Sequence, residues 1–408
     1  MTEILHFGIG NFHRAHQAWY THHANLAAGE DWSIIGVSLR SPAMRDTLNP
    51  QGFDYTLAIR DAAGETLDRI SVLDDILFAD PNDTTAQEAV LNAAIKADII
   101  TLTVTEKGYH LGPDGQLDLD HAAIRADLAG TPTTVYSYLF HALQKRDAPV
   151  TIISCDNLSA NGDSLSTALD RFAGAMGKKN WPETSFPNTM VDRITPATTD
   201  ALRNHVANKD MRCASPVETE TFCEWVIEDR FVTPRPAWDK VGAQIVTDAT
   251  PYELRKLRLL NGAHSALAYA GTLAGFEYVH QAIAEPELRA LVNGIFDEAS
   301  ATLPSGIETE NYRAALLDRF ANPALKHRLR QIAMDGTLKL PVRLLGTIEA
   351  HDGRAPWCRK AVEAWMDFAI SETWAGSVVD DPKSADIKAA CTGETPKADL
   401  AKLIGYTG

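Results

Sequence analysis

Short apolar runs alternate with longer amphipathic stretches through the first part of the chain, and helical periodicity takes over in the rest. Ile4–Phe7, Trp32–Leu39, Asp98–Thr105 and Val150–Cys155 are brief and rich in β-branched residues, as strands buried on both faces are. Residues 84–95 and 135–144 between them suit helices. Buried strands separated by helices predict a mostly parallel sheet. After residue 245 the spacing is helical over 251–271, 279–301, 311–320, 323–334 and 356–373. The two-proline stretch FVTPRPAWDKVG before that point reads as a connector. The polar tail from about Asp380 reads as a loosely packed helical hairpin.

The first strand runs into Gly8 and Gly10, and helix-like sequence follows from about Phe12. Strand, glycine turn and helix in this order present backbone N–H groups to a pyrophosphate. His13 occupies the place of the usual third glycine, so glycines serving only a tight turn fit the pattern equally well. The fold class expected is α/β: a Rossmann-type dinucleotide-binding domain over 1–245 and a mostly α-helical substrate and catalytic domain over 246–408. In open sheets of this kind ligands bind beyond the carboxyl ends of the strands. Glu106 and Lys107 after one strand, and Asp156 and Asn157 after another, are site candidates for that reason. After the second strand, where an acid usually binds the ribose of NAD, the chain has Leu39-Arg40-Ser41-Pro42. Arg40 and Ser41 could accept a 2′-phosphate, or Arg40 could stack on adenine; NAD is the nominal cofactor and NADP the alternative.

The segment TPYELRKLRLLNGAHSALAYAG, 250–271, is read as one helix. Thr250 and Glu253 form a capping-box pattern, with Pro251 at the first helical position. At about 100° per residue, Lys256, Asn261 and His264 fall within an arc of roughly 140°. Leu254, Leu257 and Leu267 are left to hold the helix to a core. An amine, an amide and an imidazole on one side offer a proton acceptor, an oxyanion donor and an orienting partner. A wet lysine face and an Asn-Gly helix end would give the same residues without chemistry.

Composition narrows the class. With 408 residues, 45% hydrophobic and 23% charged, the chain has room for two domains of ordinary globular make-up. A formal net charge of −16 argues against nucleic acid and anionic membranes as partners. No apolar run approaches membrane-spanning length, and no signal-peptide pattern opens the chain. The five cysteines have no CxxC pair, which suggests reduced thiols and a cytoplasmic setting. His13, His16, His22 and His23 cluster with no acid or thiol at structural-site spacing, so no metal is expected.

GIGNFHRAH, TVTEKGYH, SCDNLSANG, FPNTMVDRITP and KLRLLNGAHSALAY together resemble the mannitol dehydrogenase family, the metal-independent polyol and hexuronate oxidoreductases, from about Ile4 to Arg343. The family's Lys-x4-Asn-x2-His signature is met by Lys256, Asn261 and His264. The resemblance implies Lys256 as the general base and Asn261 and Asn157 as donors to the substrate oxygen. It implies His264 as an orienting residue, with Asp192 and Lys339 near the substrate. Gly8, Gly10, Asn11 and Phe12 would lie along the cofactor, with Arg40, Glu106 and Lys107 nearby. A lysine acts as a base only if its pKa falls, and a desolvated cleft beside a cationic nicotinamide favours that.

The stretch NPALKHRLRQIAMDGTLKLPVR resembles the fructuronate reductase (mannonate oxidoreductase) branch more than the mannitol branch. Its Lys326, His327, Arg328, Arg330, Lys339 and Arg343 could hold a substrate carboxylate, or could be a solvated face. The activity expected is alcohol–ketone interconversion on a small sugar acid of the D-mannonate/D-fructuronate type. The alternatives are a D-mannitol 2-dehydrogenase or D-arabinitol dehydrogenase, and a nucleotide sensor without turnover. The resemblance is compatible with a monomer.

Overall fold

The computed structural model describes residues 2–177, 181–209, 213–324 and 326–407. The chain forms two compact units, Met1–Ala249 and Thr250–Gly408.

In the first unit the strands are β1 (Thr2–Phe7), β2 (Trp32–Ser38), β3 (Tyr55–Arg60), β4 (Glu65–Ile70), β5 (Leu73–Phe78), β6 (Ile99–Leu102), β7 (Val150–Ser154), β8 (Thr184–Ser185), β9 (Thr189–Asp192), β10 (Val217–Glu220), β11 (Glu224–Glu228) and β12 (Gln244–Val246). Six of them form a parallel sheet in the order β5-β2-β1-β6-β7-β8. The chain leaves β1 towards β2 on one side and later returns to lay β6 on the other. The strand order therefore reverses between β1 and β6, which is where such sheets open a ligand crevice.

Alternation along these strands explains their apolar runs. Leu5 and Phe7 of β1, Ile100 and Leu102 of β6, and Ile152 of β7 enter one core under the helices Thr84–Lys96, Val135–Lys145 and Asn161–Ala175. Ile4, Ile99 and Ile153, on the opposite face, enter a second core with Trp225 and Trp238. Both faces are covered, so the sheet reads as continuously apolar.

Two three-stranded sheets, β10-β3-β4 and β12-β11-β9, were not anticipated from the sequence. Their strands are short and mix polar with apolar residues, as in ETLDRI and VETE, so they lack the apolar run that marks the main sheet. Polar groups buried beside them are tied to the backbone: Glu220 Oε1 accepts the N–H of Ile194, and Arg193 donates to the carbonyls of Ala15 and Glu220.

The second unit is helical, with departures from the expected spans. The expected helix 279–301 is two helices, Val279–Ala284 and Pro286–Ser300, because Pro286 biases the preceding residue out of helical conformation. The expected helix 323–334 is reduced to Leu329–Ile332. Residues before it are drawn into an extended pairing instead, where Val279 N–H donates to His327 O and Leu329 N–H to Glu277 O, each at 3.0 Å. The tail forms two helices, Ser384–Thr392 and Pro396–Ile404, but is not loose. Ile387, Cys391 and Leu400 are buried, and Asp381 accepts the Thr337 N–H at 2.8 Å and its hydroxyl at 2.5 Å.

Candidate functional site

In the first unit a cavity of about 520 Å³ opens beyond the carboxyl ends of β1, β2 and β6. Gly8, Ile9 and Gly10 form one wall, Ser38 to Ser41 another, and Thr103, Val104, Thr105, Gly108 and His110 a third. Gly8 has φ +101°, and a Cβ there would stand 2.0 Å from the Thr103 carbonyl oxygen, so only glycine lets the turn close against β6. Thr103 is fixed in turn: its hydroxyl donates to Gly8 O at 2.7 Å and lies 2.8 Å from His6 Nε2. Gly10 is exposed with no atom closer than 3.9 Å to a Cβ placed on it, leaving the backbone open to a ligand. A glycine turn at the strand-order reversal, with room beside it, fits a dinucleotide.

The wall after β6 is held under strain. Thr105 adopts φ 65°, ψ 161°, a region that β-branched residues rarely occupy. Asp156 straps it down, accepting the N–H groups of Val104 and Thr105 at 2.9 Å each and the Tyr109 hydroxyl at 2.8 Å. Burial pushes the Asp156 carboxyl up to about 6 despite these donors. Asp156 thus acts as a brace for the loop, while Asn157 beside it is exposed.

Other candidates of this unit stand outside the cavity wall. Asn11 is spent inside the fold: its amide donates to Pro196 O and Thr198 Oγ1, both at 3.1 Å, and its oxygen accepts from Arg14 at 2.6 Å. Phe12 stacks on His16 at 5.0 Å. Glu106 and Lys107 are exposed on the turn Glu106–Tyr109, and Asp192 is buried at the end of β9, paired in register with Glu224. The sequence reading missed Thr103, Thr105, His110 and Thr133 as wall residues. TVTEKGYH contains three of them, but only the strand's neighbours show that they face a cavity.

The fold also supplies the acid that the histidine cluster lacks in sequence. Asp68 of β4 meets His22 and His23, with His23 Nε2 2.7 Å from Asp68 Oδ2. Trp19 donates to the same oxygen at 3.2 Å, so Asp68 Oδ2 has partners within the fold.

In the second unit the expected single helix 250–271 carries an insertion. Thr250–Arg255 is α-helical, Lys256–Asn261 is a π-helical turn, and Gly262–Leu273 is α-helical again. The Gly262 N–H reaches the Leu257 carbonyl five residues back. In that i→i+5 register Lys256 and Asn261 lie one turn apart on the same side, rather than spread over a wide arc. The insertion also shifts the core-facing positions: Leu259 and Leu260 are buried, while Leu254 and Leu257 are only half-buried. Lys256 and Asn261 are half-buried and His264 is buried.

His264 lies 4.7 Å from the Phe320 ring and edge-on to His327 at 5.3 Å. Burial, reinforced by His327, Arg319 and Arg343, holds its imidazole well below the usual range, so it is neutral. Arg343 sits on a second π-helical turn, Pro341–Leu345, and donates to Ser265 Oγ at 3.1 Å and Asn261 O at 3.5 Å. Burial lowers its pKa, and among the described residues it forms no ion pair.

The basic stretch divides by partner. Arg328 pairs with Glu277 at 3.0 Å and Arg330 with Glu372 at 2.7 Å, while Lys326 is exposed. Lys339 donates to Met334 O at 2.7 Å and lies 3.6 Å from Asp335. Of the six, His327 meets the His264 ring and Arg343 bonds Ser265 and Asn261 on the helix carrying Lys256.

The first unit is by its sheet and cavity a dinucleotide-binding domain, and the second a helical domain bearing a Lys-Asn-His turn. The Mannitol dehydrogenase Rossmann domain matches residues 2–240, and the Mannitol dehydrogenase C-terminal domain matches 248–407. The chain belongs to the mannitol dehydrogenase family and is an oxidoreductase. A mannitol 2-dehydrogenase of Pyrenophora tritici-repentis is 40% identical, over 98% of this chain and 76% of its own. The D-mannonate oxidoreductase of Escherichia coli is 37% identical, over 100% of this chain and 88% of its own. The solved Pseudomonas fluorescens mannitol 2-dehydrogenase, a ternary complex with NAD and D-mannitol, superposes with a TM-score of 0.81 at 34% identity, covering 100% of this chain and 88% of that one. No helix among the described residues is long and apolar enough to cross a membrane.

Proposed function

We propose that this protein is a nicotinamide-dinucleotide-dependent oxidoreductase that interconverts the secondary alcohol and ketone of a sugar acid, of the D-mannonate/D-fructuronate type. The observation that carries the acid reading is Arg343, a half-buried guanidinium that forms no ion pair among the described residues and is tied to the turn that holds Asn261. A half-buried cation of this kind is stabilised by an anion, and a planar guanidinium suits a carboxylate. The neutral His264 beside it adds a hydrogen-bonding group without a competing charge.

The nicotinamide, that of NAD in the solved relative's complex, supplies the acceptor for a hydride. The chain's own residues do the rest. Gly8, Gly10 and the wall from Thr103 to Gly108 hold the dinucleotide. Lys256 takes the proton from the substrate hydroxyl. Asn261 and Asn157 donate hydrogen bonds to the oxygen as it becomes an alkoxide and then a ketone, stabilising charge without a metal. His264 orients the sugar, and Arg343 takes its carboxylate. The five free cysteines suit the cytoplasmic setting that belongs to this reading.

A second reading, a neutral polyol as substrate, is favoured by the 40% identity to a mannitol 2-dehydrogenase. Nicotinamide absorbance followed in both directions with D-mannonate/D-fructuronate, D-mannitol/D-fructose and D-arabinitol/D-xylulose separates the two. Turnover confined to the sugar-acid pair is the expected result. Turnover of neutral polyols alone would overturn the acid reading and leave Arg343 a structural tie.

A further inference from the structure

The nucleotide cavity carries a cation where a site of this fold usually carries an acid. The residues that follow β2 bring Arg40 and Ser41 to its wall, and no Asp or Glu is among the described residues that line it. An acid at this place accepts hydrogen bonds from the 2′- and 3′-hydroxyls of the adenosine ribose and repels a phosphate on either. Here a dinucleotide with a free 2′-hydroxyl finds no such acceptor.

Arg40 is exposed and makes no hydrogen bond or ion pair among the described residues, so its guanidinium is available. The Ser41 hydroxyl accepts the Ala43 N–H at 3.2 Å, which leaves its own proton to donate. His110 lines the same cavity near enough for the Arg40 charge to bear on it, and its ring lies 4.2 Å from that of His121. The acid that bears on His110 is Asp118, which lies outside the lining and accepts the Asp120 N–H at 2.9 Å. The wall is a donor surface with one fixed positive charge.

We propose that Arg40 and Ser41 form a phosphomonoester subsite for the adenosine 2′-phosphate, so that the protein binds NADP(H) at least as tightly as NAD(H). The inference rests on the reading of this cavity as the dinucleotide site. A dianionic phosphate offers the guanidinium two acceptor oxygens in the planar arrangement it matches best, and a ribose diol does not.

The test is an equilibrium titration of the full chain with NADH and NADPH by nucleotide fluorescence, repeated with 5′-AMP and 2′,5′-ADP as competitors. The wild type is expected to bind NADPH as tightly as NADH or better. Arg40→Ala is expected to lower the NADPH-to-NADH affinity ratio by about tenfold, as for the loss of one charge-assisted contact. Arg40→Asp is expected to reverse the preference. Both substitutions lie at an exposed position, and Arg40→Lys should keep part of the ratio. NADPH binding more than about tenfold weaker than NADH in the wild type would overturn the subsite. Equal weakening of both nucleotides by Arg40→Ala would do the same, assigning Arg40 to adenine stacking. In either case the dinucleotide reading would stand. Binding of neither nucleotide would overturn that reading along with the subsite.

Discussion

The guanidinium of Arg343 donates to the backbone carbonyl of Asn261, joining the two π-helical turns of the second unit. Arg343 thereby adds a side-chain donor to the carbonyl at the end of the first widened turn. The same side chain also binds Ser265 Oγ one turn further on. The candidate oxyanion donor is thus tied to a residue that sequence places more than eighty positions away.

Arg343→Ala should therefore act on both fold and chemistry. Loss of its bonds to the Asn261 carbonyl and the Ser265 hydroxyl should cost about 1–3 kcal/mol in unfolding free energy. With a sugar-acid substrate, KM should rise and kcat fall, whereas a neutral polyol should show the kcat effect alone. Arg343→Lys keeps the charge but cannot serve two acceptors in the same plane, and should fall between. Steady-state kinetics of both variants on the two substrate classes, with urea unfolding, checks this; an identical KM change for both classes would remove Arg343 from carboxylate recognition.

Lys256→Ala should lower kcat by two or more orders of magnitude while dinucleotide affinity changes little, as expected when a general base is lost. Single-turnover hydride transfer and fluorescence titration measure the two quantities separately. Weakened nucleotide binding with turnover intact would place Lys256 outside the chemistry.

Thr105→Gly should stabilise the protein. The φ of 65° at a β-branched residue costs about 1–3 kcal/mol, and glycine adopts it freely. Glycine returns about 0.5–1 kcal/mol to the unfolded chain as entropy, so a net gain of about 1 kcal/mol is expected. Because Thr105 lines the nucleotide cavity, the gain should come with weaker dinucleotide binding. Thermal unfolding with and without NADH reads both effects, and a lower Tm in the variant would show that the loop is not strained.

Stability should fall steeply on mild acidification. His6 is fully buried, and burial lowers its imidazole pKa to about 3. His13, stacked on it at 3.4 Å, is held well below the ordinary range by burial and then by the charges of His6, Arg14 and His16. Unfolded, both titrate near 6.5. The unfolded chain therefore binds more protons below that pH, so their contribution is complete above about 6.5 and is lost as pH falls. Each residue should cost on the order of 2 kcal/mol between pH 7 and 5. Urea midpoints at the two pH values should fall less in His13→Phe than in the wild type. Equal falls would exclude His13 from the effect.

The parallel sheet was legible because its strands are buried on both faces, and the chain writes that as the runs 4–7, 32–39 and 150–155. Gly8 and the Lys256-Asn261-His264 spacing were legible because each depends on residues close in sequence. The glycine's positive φ is a local requirement to which the approach of Thr103 adds a distant one, and the triad shares one run of helix. Strands β3, β4, β9 and β10 were not, since half-polar segments of four to six residues pair only when distant partners are present.

What tertiary structure decided is which polar groups are used up and which remain. Arg328 and Arg330 look in sequence like Arg343, yet Glu277 and Glu372 pair with the first two, while the third forms no ion pair among the described residues. Asn11 looks like a cofactor ligand until Pro196, Thr198 and Arg14 take its amide. Local sequence determines where the chain can turn, coil or extend, because those preferences act within a few residues. Whether a charge is free to meet a ligand depends on partners anywhere in the chain, and only the folded arrangement selects them.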